Sequence, residues 1–545
     1  MKYLSGLSTF AFTICLLLLI LPGHAKAAVG DLDPTYGSGG AVTTEFPGER
    51  AGIGDAAVQP DGKLVVIGVV APPSGVARTV VARYRLNGSL DPSFGSGDGV
   101  APSPIGAGSV VVQPDGKIIL GGGAGGSGFA LARLNPDGSR DSTFGSGGLA
   151  TASFSSSSGL RDLALQPDGK IVAVGEFSFS SFIPLARFNP NGSLDATFGN
   201  GGKVTAPMGA SARAWAVTIQ SDGKIVTAGD VAEDFTVARL NPDGTPDQSF
   251  GVGGKVTTDI GGSNDRDVAS GVALQPDGKI VAVGYGKGTT FGIPNPVVAR
   301  YNSDGSRDTT FGVGGTVILD AQGSRATSLV ILGDGRIFVA WASFGGDNAP
   351  WRDFNLLGLD PAGRIVSMVA TDFGNTELPT ALVLQPDGKL VAAGVTYGDT
   401  TSRFALVRYL TSTTGAPVLQ TEAGTNRAVA LDSVTLTRGP FTIHTEHNFA
   451  PDLHTRVLLF VTLLDPLPGE VAPAVTAQAE VSGGGVFPLT VEHAGKVPGF
   501  EWLTQVVVQL PHELEAAGDV QVSVSLRGAA SNKAVITIQA AGASQ

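Results

Sequence analysis

LNPDGSRDSTFGSGG, residues 134–148, decides the fold, because the chain repeats this phrase with small changes. It returns as FNPNGSLDATFGNGG at residues 188–202, as LNPDGTPDQSFGVGG at 240–254 and as YNSDGSRDTTFGVGG at 301–315. A phrase that recurs so closely either builds one ligand site many times or forms one structural joint many times. The two interpretations predict different partners for its aspartates.

A second phrase alternates with the first and sets the period of the repeat. It reads LQPDGKIVAVG at residues 165–175, and its aspartate recurs as Asp61, Asp115, Asp168, Asp222, Asp277, Asp334 and Asp387. The spacings between these aspartates are 54, 53, 54, 55, 57 and 53 residues. Seven repetitions at a fixed period of this length predict a β-propeller.

Each repeat carries the signals of four β-strands. KIVAVG, residues 170–175, is short, rich in β-branched residues and bounded by glycine. Pro-Asp-Gly joins it to the strand before, since proline presets φ and glycine accepts a positive φ. FALARLN, residues 129–135, and the segment after Phe-Gly-x-Gly-Gly supply two more strands. Glycine makes up 78 of 545 residues and charged residues only 15%, which favours an all-β protein.

The two ends of the repeat region are complementary. The repeat region opens with DLDPTYGSGG at residues 31–40, which has no strand before it. The seventh repeat stops at FALVRYL, residues 404–410. The missing tail of the last repeat is therefore present ahead of the first, and pairing the two would leave no free sheet edge. We predict an all-β, seven-bladed propeller of about 54-residue repeats, residues 28–412, closed by its N-terminal segment.

Arginines and aspartates of the first phrase occur in matched numbers, which indicates an ion pair across a turn. The predicted pairs are Arg83–Asp91, Arg133–Asp141, Arg187–Asp195, Arg239–Asp247, Arg300–Asp308 and, across the closure, Arg408–Asp33. The sixth repeat has Gly358 and Val366 at the two positions, so both charges are lost together. Joint loss is expected of an ion pair, because one partner alone would be an uncompensated, partly buried charge.

Calcium is the alternative explanation of the phrase. Asn135, Asp137 and Asp141 offer oxygen ligands at spacings that some calcium loops use. Against this, Arg133 stands where such loops usually place another acid, and the bidentate Glu of an EF-hand is missing. We favour a structural joint, and we expect no cofactor.

The N-terminus has the pattern of a secretory signal peptide, residues 1–27. Lys2 precedes the apolar run from Phe10 to Leu21, and cleavage is expected near Ala27. Cys15, the only cysteine, lies in this segment, so the mature chain would have no disulfide and no thiolate chemistry. The net charge of −12 argues against nucleic acid, and no later segment is long and apolar enough for a membrane span. We expect a secreted protein, in the periplasm, at the cell surface or outside the cell.

After the repeats, residues 413–545 predict a β-sandwich. RVLLFVTLL, residues 456–464, is continuously apolar, as a strand buried on both faces would be, and DVQVSVSLR, residues 519–527, alternates strictly. His444, His447 and His454 lie close together, but the ligand pattern of a zinc site is absent, and we interpret them as part of a polar strand and loop.

The alternation of QPDGKI-VxG with ARLNPDGSxDxTFGxGG resembles the delta-60 repeat family of secreted bacterial proteins, over residues 29–414. The resemblance implies a β-propeller and no particular activity. AGKVPGFEWLTQVVVQLP, residues 494–511, is similar to an uncharacterised Ig-like C-terminal domain of secreted bacterial proteins.

The connections between KIVAVG and the Ala-Arg strand are the segments in which the repeats differ most. They are longest in repeats five, six, seven and one, which become neighbours if the ring closes. Aromatic residues mixed with acids and arginines suit contact with a glycan or a cell-surface protein. The candidates are Tyr285, Phe291, Asp347, Trp351, Arg352, Asp353, Tyr397, Asp399 and Arg403, with ordinary variable loops as the alternative.

We therefore predict a non-catalytic binding protein. Histidine and cysteine are absent from the repeat region, which excludes a triad or thiol mechanism there. The alternative is an extracellular carbohydrate-active enzyme, a hydrolase or lyase that uses carboxylates on the same loops.

Overall fold

A computed structural model gives the fold, and it describes most of the chain. The described residues are 29–124, 128–178, 180–260, 266–287, 294–321, 323–343, 353–374, 376–398, 401–411, 418–419, 430–432, 441, 455–462, 475–481, 485–497, 500–515, 517–526, 529–531 and 533–539. The predicted signal peptide and the three clustered histidines lie outside them.

The chain divides into two compact units, Val29–Tyr409 and a second that contains Leu410–Gln545. The sequence analysis expected this boundary after residue 412. The two units are described separately below.

The described residues of the unit Val29–Tyr409 form 28 short β-strands. They are β1 (Ala41–Thr44), β2 (Arg50–Val58), β3 (Leu64–Ala71), β4 (Arg78–Tyr84), β5 (Val100–Pro102), β6 (Ala107–Val112), β7 (Ile118–Gly123), β8 (Gly128–Leu134), β9 (Leu149–Ser153), β10 (Ser158–Leu165), β11 (Ile171–Phe177), β12 (Phe182–Phe188), β13 (Lys203–Pro207), β14 (Arg213–Ile219), β15 (Ile225–Val231), β16 (Asp234–Leu240), β17 (Lys255–Thr258), β18 (Val268–Leu274), β19 (Ile280–Lys287), β20 (Pro294–Tyr301), β21 (Thr316–Ile318), β22 (Ser324–Ile331), β23 (Ile337–Ser343), β24 (Phe354–Leu359), β25 (Ile365–Thr371), β26 (Thr376–Leu384), β27 (Leu390–Tyr397) and β28 (Ser402–Tyr409).

These strands form antiparallel sets of four, which we call blades. Blades 1 and 2 are β2-β3-β4-β5 and β6-β7-β8-β9, blades 5 and 6 are β18-β19-β20-β21 and β22-β23-β24-β25, and blade 7 is β26-β27-β28-β1. Blades 3 and 4, β10 to β13 and β14 to β17, belong to one eight-stranded sheet, because Glu176 pairs with Arg213. The all-β propeller predicted from the repeats is confirmed.

The ring is closed by the N-terminal segment, as the two ends of the repeat region predict. Strand β1 pairs with β28, Ala41 opposite Val407 and Thr44 opposite Phe404. The backbone N–H of Asp33 donates to the carbonyl of Arg408 at 2.9 Å, and the N–H of Arg408 donates to the carbonyl of Gly40 at 2.9 Å. The fourth strand of the last blade thus comes from the start of the described chain, which covers the edge of β28.

The first strand of every blade lies innermost. Strands β2, β6, β10, β14, β18, β22 and β26 each contact the next in this order, and β26 contacts β2. Seven hydrophobic clusters fill the seven spaces between neighbouring blades, including the space between blades 7 and 1. The core is therefore a closed series of interfaces between β-branched strands, and no blade is buried by itself.

The C-terminal unit forms a curled antiparallel sheet within its described residues. Its strands are β29 (Val418–Leu419), β30 (Ala430–Asp432), β31 (Arg456–Thr462), β32 (Val475–Val481), β33 (Val486–Val497), β34 (Phe500–Gln509), β35 (Gly518–Leu526), β36 (Ala529–Ala530) and β37 (Ala534–Ile538). Their order is β29-β31-β34-β33-β32-β35-β36, with β30 on β31 and β37 on β35.

One hydrophobic core joins the two halves of this sheet. It contains Val457 and Leu459 from β31 together with Val520 and Val522 from β35. Strand β33 pairs with β32 through its first part and with β34 through its second, so it passes from one half to the other. This packing resembles a β-sandwich, and the Ig-like assignment stays a prediction.

The described residues contain one short 3-10 helix, His512–Leu514, and no helix among them is long and apolar enough to cross a membrane.

Candidate functional site

The antiparallel order of the strands divides the connections of the propeller between two faces. The Pro-Asp-Gly turns and the repeated phrase join strands one to two and three to four, so they lie at one face, the turn face. The connections from strand two to three, and from each blade to the next, lie at the opposite loop face. The predicted ion pairs therefore belong to the turn face, and those predicted binding residues that the structure describes belong to the loop face.

On the turn face, each predicted ion pair is part of a larger contact, which we call the Arg–Asp joint. In blade 3, Arg187 Nε lies 2.7 Å from Asp195 Oδ2, and its guanidinium carbon lies 4.6 Å above the centre of the Phe198 ring. Arg187 Nη1 donates to the carbonyl of Pro242 in blade 4. One arginine thus fixes its own turn and holds the neighbouring blade.

The aspartate of the joint is fully committed to hydrogen bonds. Asp195 Oδ1 accepts from the N–H and the hydroxyl of Thr197, and Lys170 Nζ lies 3.4 Å from Oδ2. Burial alone would raise the pKa of Asp195, but the Thr197 donors and the Arg187 charge outweigh it and lower that pKa to about 2. The carboxylate is therefore ionised at any physiological pH.

The same joint recurs at every predicted pair, with an arginine nitrogen and an aspartate Oδ2 in contact. The distances are 3.0 Å for Arg83–Asp91, 2.8 Å for Arg133–Asp141, 2.7 Å for Arg239–Asp247, 2.8 Å for Arg300–Asp308 and 2.7 Å for Arg408–Asp33. The acceptor carbonyls in the next blade belong to Pro136, Pro190, Ser303, Pro361 and, for Arg408, to Leu86 of blade 1.

These contacts explain why blade 6 has lost the pair. Its arginine would donate to a carbonyl of the turn between the third and fourth strands of blade 7, but there the chain leaves the propeller after Tyr409. The position of the arginine is Gly358, and Val366 lies within the outer strand β25 instead of a joint. An arginine at residue 358 would lack this acceptor, and the pair is absent at that blade.

The oxygens that a calcium ion would need are already used. Asp137 Oδ1 accepts from the N–H of Ser139 at 2.9 Å and from its hydroxyl at 2.6 Å. Asp141 accepts from Thr143 through Oδ1 and from Arg133 and Lys117 through Oδ2. The geometry therefore favours the structural joint over a calcium loop.

On the loop face, four of the nine predicted binding residues are described. Tyr285 lies in β19, two residues before its end, and the centre of its ring is 4.4 Å from the guanidinium carbon of Arg325. Tyr397 and Arg403 lie at the loop-face end of the β27–β28 hairpin, on opposite faces of the sheet, because Tyr397 pairs with Ser402 and Arg403 with Thr396. Phe291, Asp347, Trp351, Arg352 and Asp399 lie outside the described residues.

Asp353 belongs to a group of three acids between blades 6 and 7. Its carboxylate oxygens and those of Asp372 and Glu377 come within 4.8 Å of one another, a spacing at which one hard cation would be shared. Burial, and next the Asp372 charge, raise the pKa of Asp353 above its usual value of 3.8. Glu377 is fully buried and accepts a hydrogen bond from Thr396.

The sequence analysis missed Asp372 and Glu377. Both lie in or after the connection from blade 6 to blade 7, whereas only the connections inside the repeats were compared. The order of the predicted strands could have identified both residues. In an antiparallel blade the connection to the next blade lies on the same face as the connection from strand two to strand three.

Two grooves on the rim of the ring follow from the repeat itself. Each has a volume of about 590 Å³. One is lined by Gly199 and Asn200 and by the turn Asp243–Thr245 of the next blade, and the other by the equivalent Gly37, Ser38 and Asn87–Ser89. Because equivalent residues build both, we assign them to the architecture and not to a ligand site.

Comparison with known proteins gives one family match, "Domain of unknown function (DUF5122) beta-propeller", over residues 59–94, 113–144, 166–198, 220–250, 275–311 and 385–412. Residues 312–384, which include blade 6, are not matched. No curated protein matches the chain.

Two solved structures are similar at 14% identity. One is the crystal structure of a puromycin hydrolase mutant complexed with PGG, with a TM-score of 0.34, over 68% of this chain and 62% of that one. The other, "Bifunctional GH43-CE" of Bacteroides eggerthii, has a TM-score of 0.25, over 79% of this chain and 57% of that one. This chain spans about three fifths of the length of either, and neither likeness bears on its activity. The repeats themselves are decisive: the propeller of this chain belongs to the DUF5122 family of β-propellers.

Proposed function

We propose that the protein is a secreted, non-catalytic binding protein that contacts a glycan or a cell-surface protein through its loop face at blades 5 to 7. The predicted signal peptide would carry it out of the cytoplasm. The Arg–Asp joints stabilise the ring, and the connections on the opposite face are left to vary.

The observation that carries the proposal is the presence of an exposed aromatic ring and of an exposed charged pair at the loop-face end of blade 7. Tyr397 is 45% exposed at the end of β27. On the neighbouring strand, β28, Arg403 Nε lies 2.6 Å from Glu45 Oε1, and the two side chains are 40% and 61% exposed. Aromatic rings and arginines of this kind dominate many binding surfaces, because they bury a large area at little entropic cost.

Binding of the mature protein to a glycan array and to bacterial cell surfaces tests the proposal. Tyr397→Ala should weaken binding by tenfold or more. Phe182→Ala is the matched control, because Phe182 is 41% exposed at the loop-facing end of the third strand of blade 3, away from the proposed surface. Equal loss in the two variants, or no binding by the parent protein, would refute the proposal.

The three acids between blades 6 and 7 favour a second candidate function, a carboxylate-based carbohydrate-active enzyme. Retaining glycosidases use two carboxyl groups about 5 Å apart, one with a raised pKa as the general acid. Asp353 would be that acid and Asp372 its partner. Release of reducing sugar from an oligosaccharide panel, abolished by Asp353→Asn and retained by Asp61→Asn in an exposed turn on the other face, would support this function over simple binding.

A further inference from the structure

The innermost strands carry an unusual set of side chains toward the axis of the ring. Every first strand contains a β-bulge near its loop-face end, and an inserted bulge residue is not committed to the sheet face. The bulge residues are Gly54, Gly108, Arg161, Trp215, Ser270, Thr327 and Thr380. All are exposed or half-buried although their strands are the innermost, so they border the axial opening.

Two of these seven side chains are large, and they lie on one another. The guanidinium of Arg161 in blade 3 lies 4.5 Å above the ring of Trp215 in blade 4. Trp215 Nε1 donates to Asp230 Oδ1 at 2.7 Å, which fixes the plane of the indole. The other five bulge residues are glycine, serine or threonine, so the opening is narrowed on one side only.

Further arginines gather beside this stack. Arg213 lies between two acids, with Nε 3.5 Å from Glu176 Oε2 and Nη1 3.0 Å from Asp230 Oδ2. Arg161 contacts the other oxygen of Glu176, and Arg266 Nη2 lies 3.9 Å from Asp230.

The group carries a net positive charge. In blade 6, Arg325 occupies the position that Arg213 has in blade 4, over the Tyr285 ring. The three guanidinium groups of Arg161, Arg213 and Arg266 and the two acids they contact, Glu176 and Asp230, leave +1, in a chain whose net charge is −12. A cationic group in so acidic a chain is suited to an anionic ligand.

The guanidinium groups of blades 3 and 4 have donors to spare, unlike those of the turn face. Within the described residues, Arg161, Arg213 and Arg266 together donate two hydrogen bonds, whereas Arg133 alone donates four. Each guanidinium has five N–H groups, so most of these donors face solvent. Contacts within the protein occupy most of the N–H donors of a joint arginine, whereas they occupy few of the donors of Arg161, Arg213 and Arg266.

The rest of the wall, in blades 5 and 7, has complementary chemistry. The hydroxyls of Ser270 and Thr380 donate to the carbonyls of Ala326 and Ile53, so their oxygens remain able to accept hydrogen bonds. Sugar hydroxyls are donors of that kind.

We propose that the loop-face mouth of the axial opening binds an acidic saccharide, with a carboxylate of the sugar held by Arg161, Arg213 and Arg266. A planar carboxylate pairs with a guanidinium through two parallel hydrogen bonds, which a neutral sugar cannot do. The inference goes beyond the function proposed above, because it names another site and a ligand class and does not involve Tyr397.

Isothermal titration of the full mature protein with trigalacturonate tests it, with the methyl ester of the same trisaccharide as the uncharged ligand. We expect the parent protein to bind the ester at least tenfold more weakly than trigalacturonate. We expect the Arg161→Gln variant to bind trigalacturonate at least tenfold more weakly than the parent protein does. Arg78→Gln is the matched control, because Arg78 is an exposed arginine with a glutamate partner, Glu49, in blade 1, and it should bind as the parent protein does.

A second pair of variants leaves the arginines and Trp215 untouched. A side chain at residue 108 meets no atom within 4 Å of its Cβ, so substitution there should not disturb the strand. Gly108→Glu adds a negative charge to the opening and should weaken trigalacturonate binding at least tenfold, whereas Gly108→Gln, of the same size, should not.

Equal binding of acid and ester, no binding by the parent protein, or equal effects of Gly108→Glu and Gly108→Gln would overturn the proposal. Tighter binding of a sulfated disaccharide than of trigalacturonate would overturn the carboxylate assignment. Tyr397→Ala in the same titration separates the two proposals, because it should leave trigalacturonate binding unchanged even if the array experiment fails.

Discussion

The guanidinium of a joint arginine makes three kinds of contact that no other side chain would combine. In blade 3, Arg187 pairs with Asp195, donates to the carbonyl of Pro242 and lies over the Phe198 ring. A lysine would keep the charge but lose the planar fork and the stacking. The repetition of one phrase along the sequence is therefore the repetition of one arginine environment.

A double-mutant cycle on Arg187 and Asp195 measures what this environment contributes. Each alanine variant should lower the free energy of unfolding in urea by about 3–5 kcal/mol, because the remaining partner is a buried charge. The coupling energy should be about 1–3 kcal/mol. The exposed pair Arg78–Glu49 is the control, and its coupling should be much smaller, because solvent screens both charges. A coupling equal to that of the control would contradict the joint.

Two acids beside the axis predict a pH dependence of the opposite sign to that of the joints. Burial, and next the charge of Asp162, raise the pKa of Asp55 from 3.8 to about 7, and burial raises that of Asp162 to about 6. Between about pH 4 and pH 7 the folded protein therefore holds protons that the unfolded chain has released, so stability falls as the pH rises. The joint aspartates titrate below this range and do not oppose the trend.

Urea unfolding at intervals from pH 5 to pH 8 should give a falling free energy, with a smaller fall in Asp55→Asn. Asp61→Asn is the control, because Asp61 is exposed in a turn and its replacement should leave the slope unchanged. A free energy that rises over this range would contradict the assignment.

At the scale of elements, the β15–β16 turn in blade 4 is strained. Ala232 and Glu233 both have positive φ angles, 51° and 73°, in a two-residue connection that usually carries Asn-Gly. The double variant Ala232→Asn with Glu233→Gly, which installs that dipeptide, should raise the free energy of unfolding by about 0.5–1 kcal/mol. The control Asp234→Gly, inside β16, should lower the free energy of unfolding. If this variant also raised it, relief of φ strain would be ruled out as the cause.

The sixth blade illustrates a limit of inference from single elements. Its sequence reveals the paired loss at Gly358 and Val366, and an ion pair follows from that. The absence of an acceptor carbonyl in blade 7 does not follow from the sequence of blade 6, because it depends on which strand lies beside the joint once the ring is closed. The same limit applies to Asp372 and Glu377, which join Asp353 only through the connection between two blades.

For the whole molecule, the decisive contact is the pairing of β1 with β28. Thr43 lies opposite Ala405, and the predicted mature chain has no cysteine. A disulfide formed by Thr43→Cys with Ala405→Cys would close a loop of about 360 residues, worth about 6 kcal/mol at most in the chain-entropy model. The control pair, Ala186→Cys with Lys203→Cys in blade 3, closes about 18 residues and should give about 3 kcal/mol at most.

Melting temperatures under oxidising and reducing conditions compare the two disulfides. The closing disulfide should form readily and raise the melting temperature more than the control. Failure of residues 43 and 405 to form the bond in the folded protein would mean that the ring is open in solution.

The sequence by itself determined the repeat, its strands, the partners of the six joint arginines and the closure by the N-terminal segment. These features are local or periodic, so spacing and turn chemistry specify them. The tertiary structure alone decided which side chains meet at the axis and between blades 6 and 7. Arg161 and Trp215 are 54 residues apart in different repeats, and they come together only because innermost strands converge on one axis.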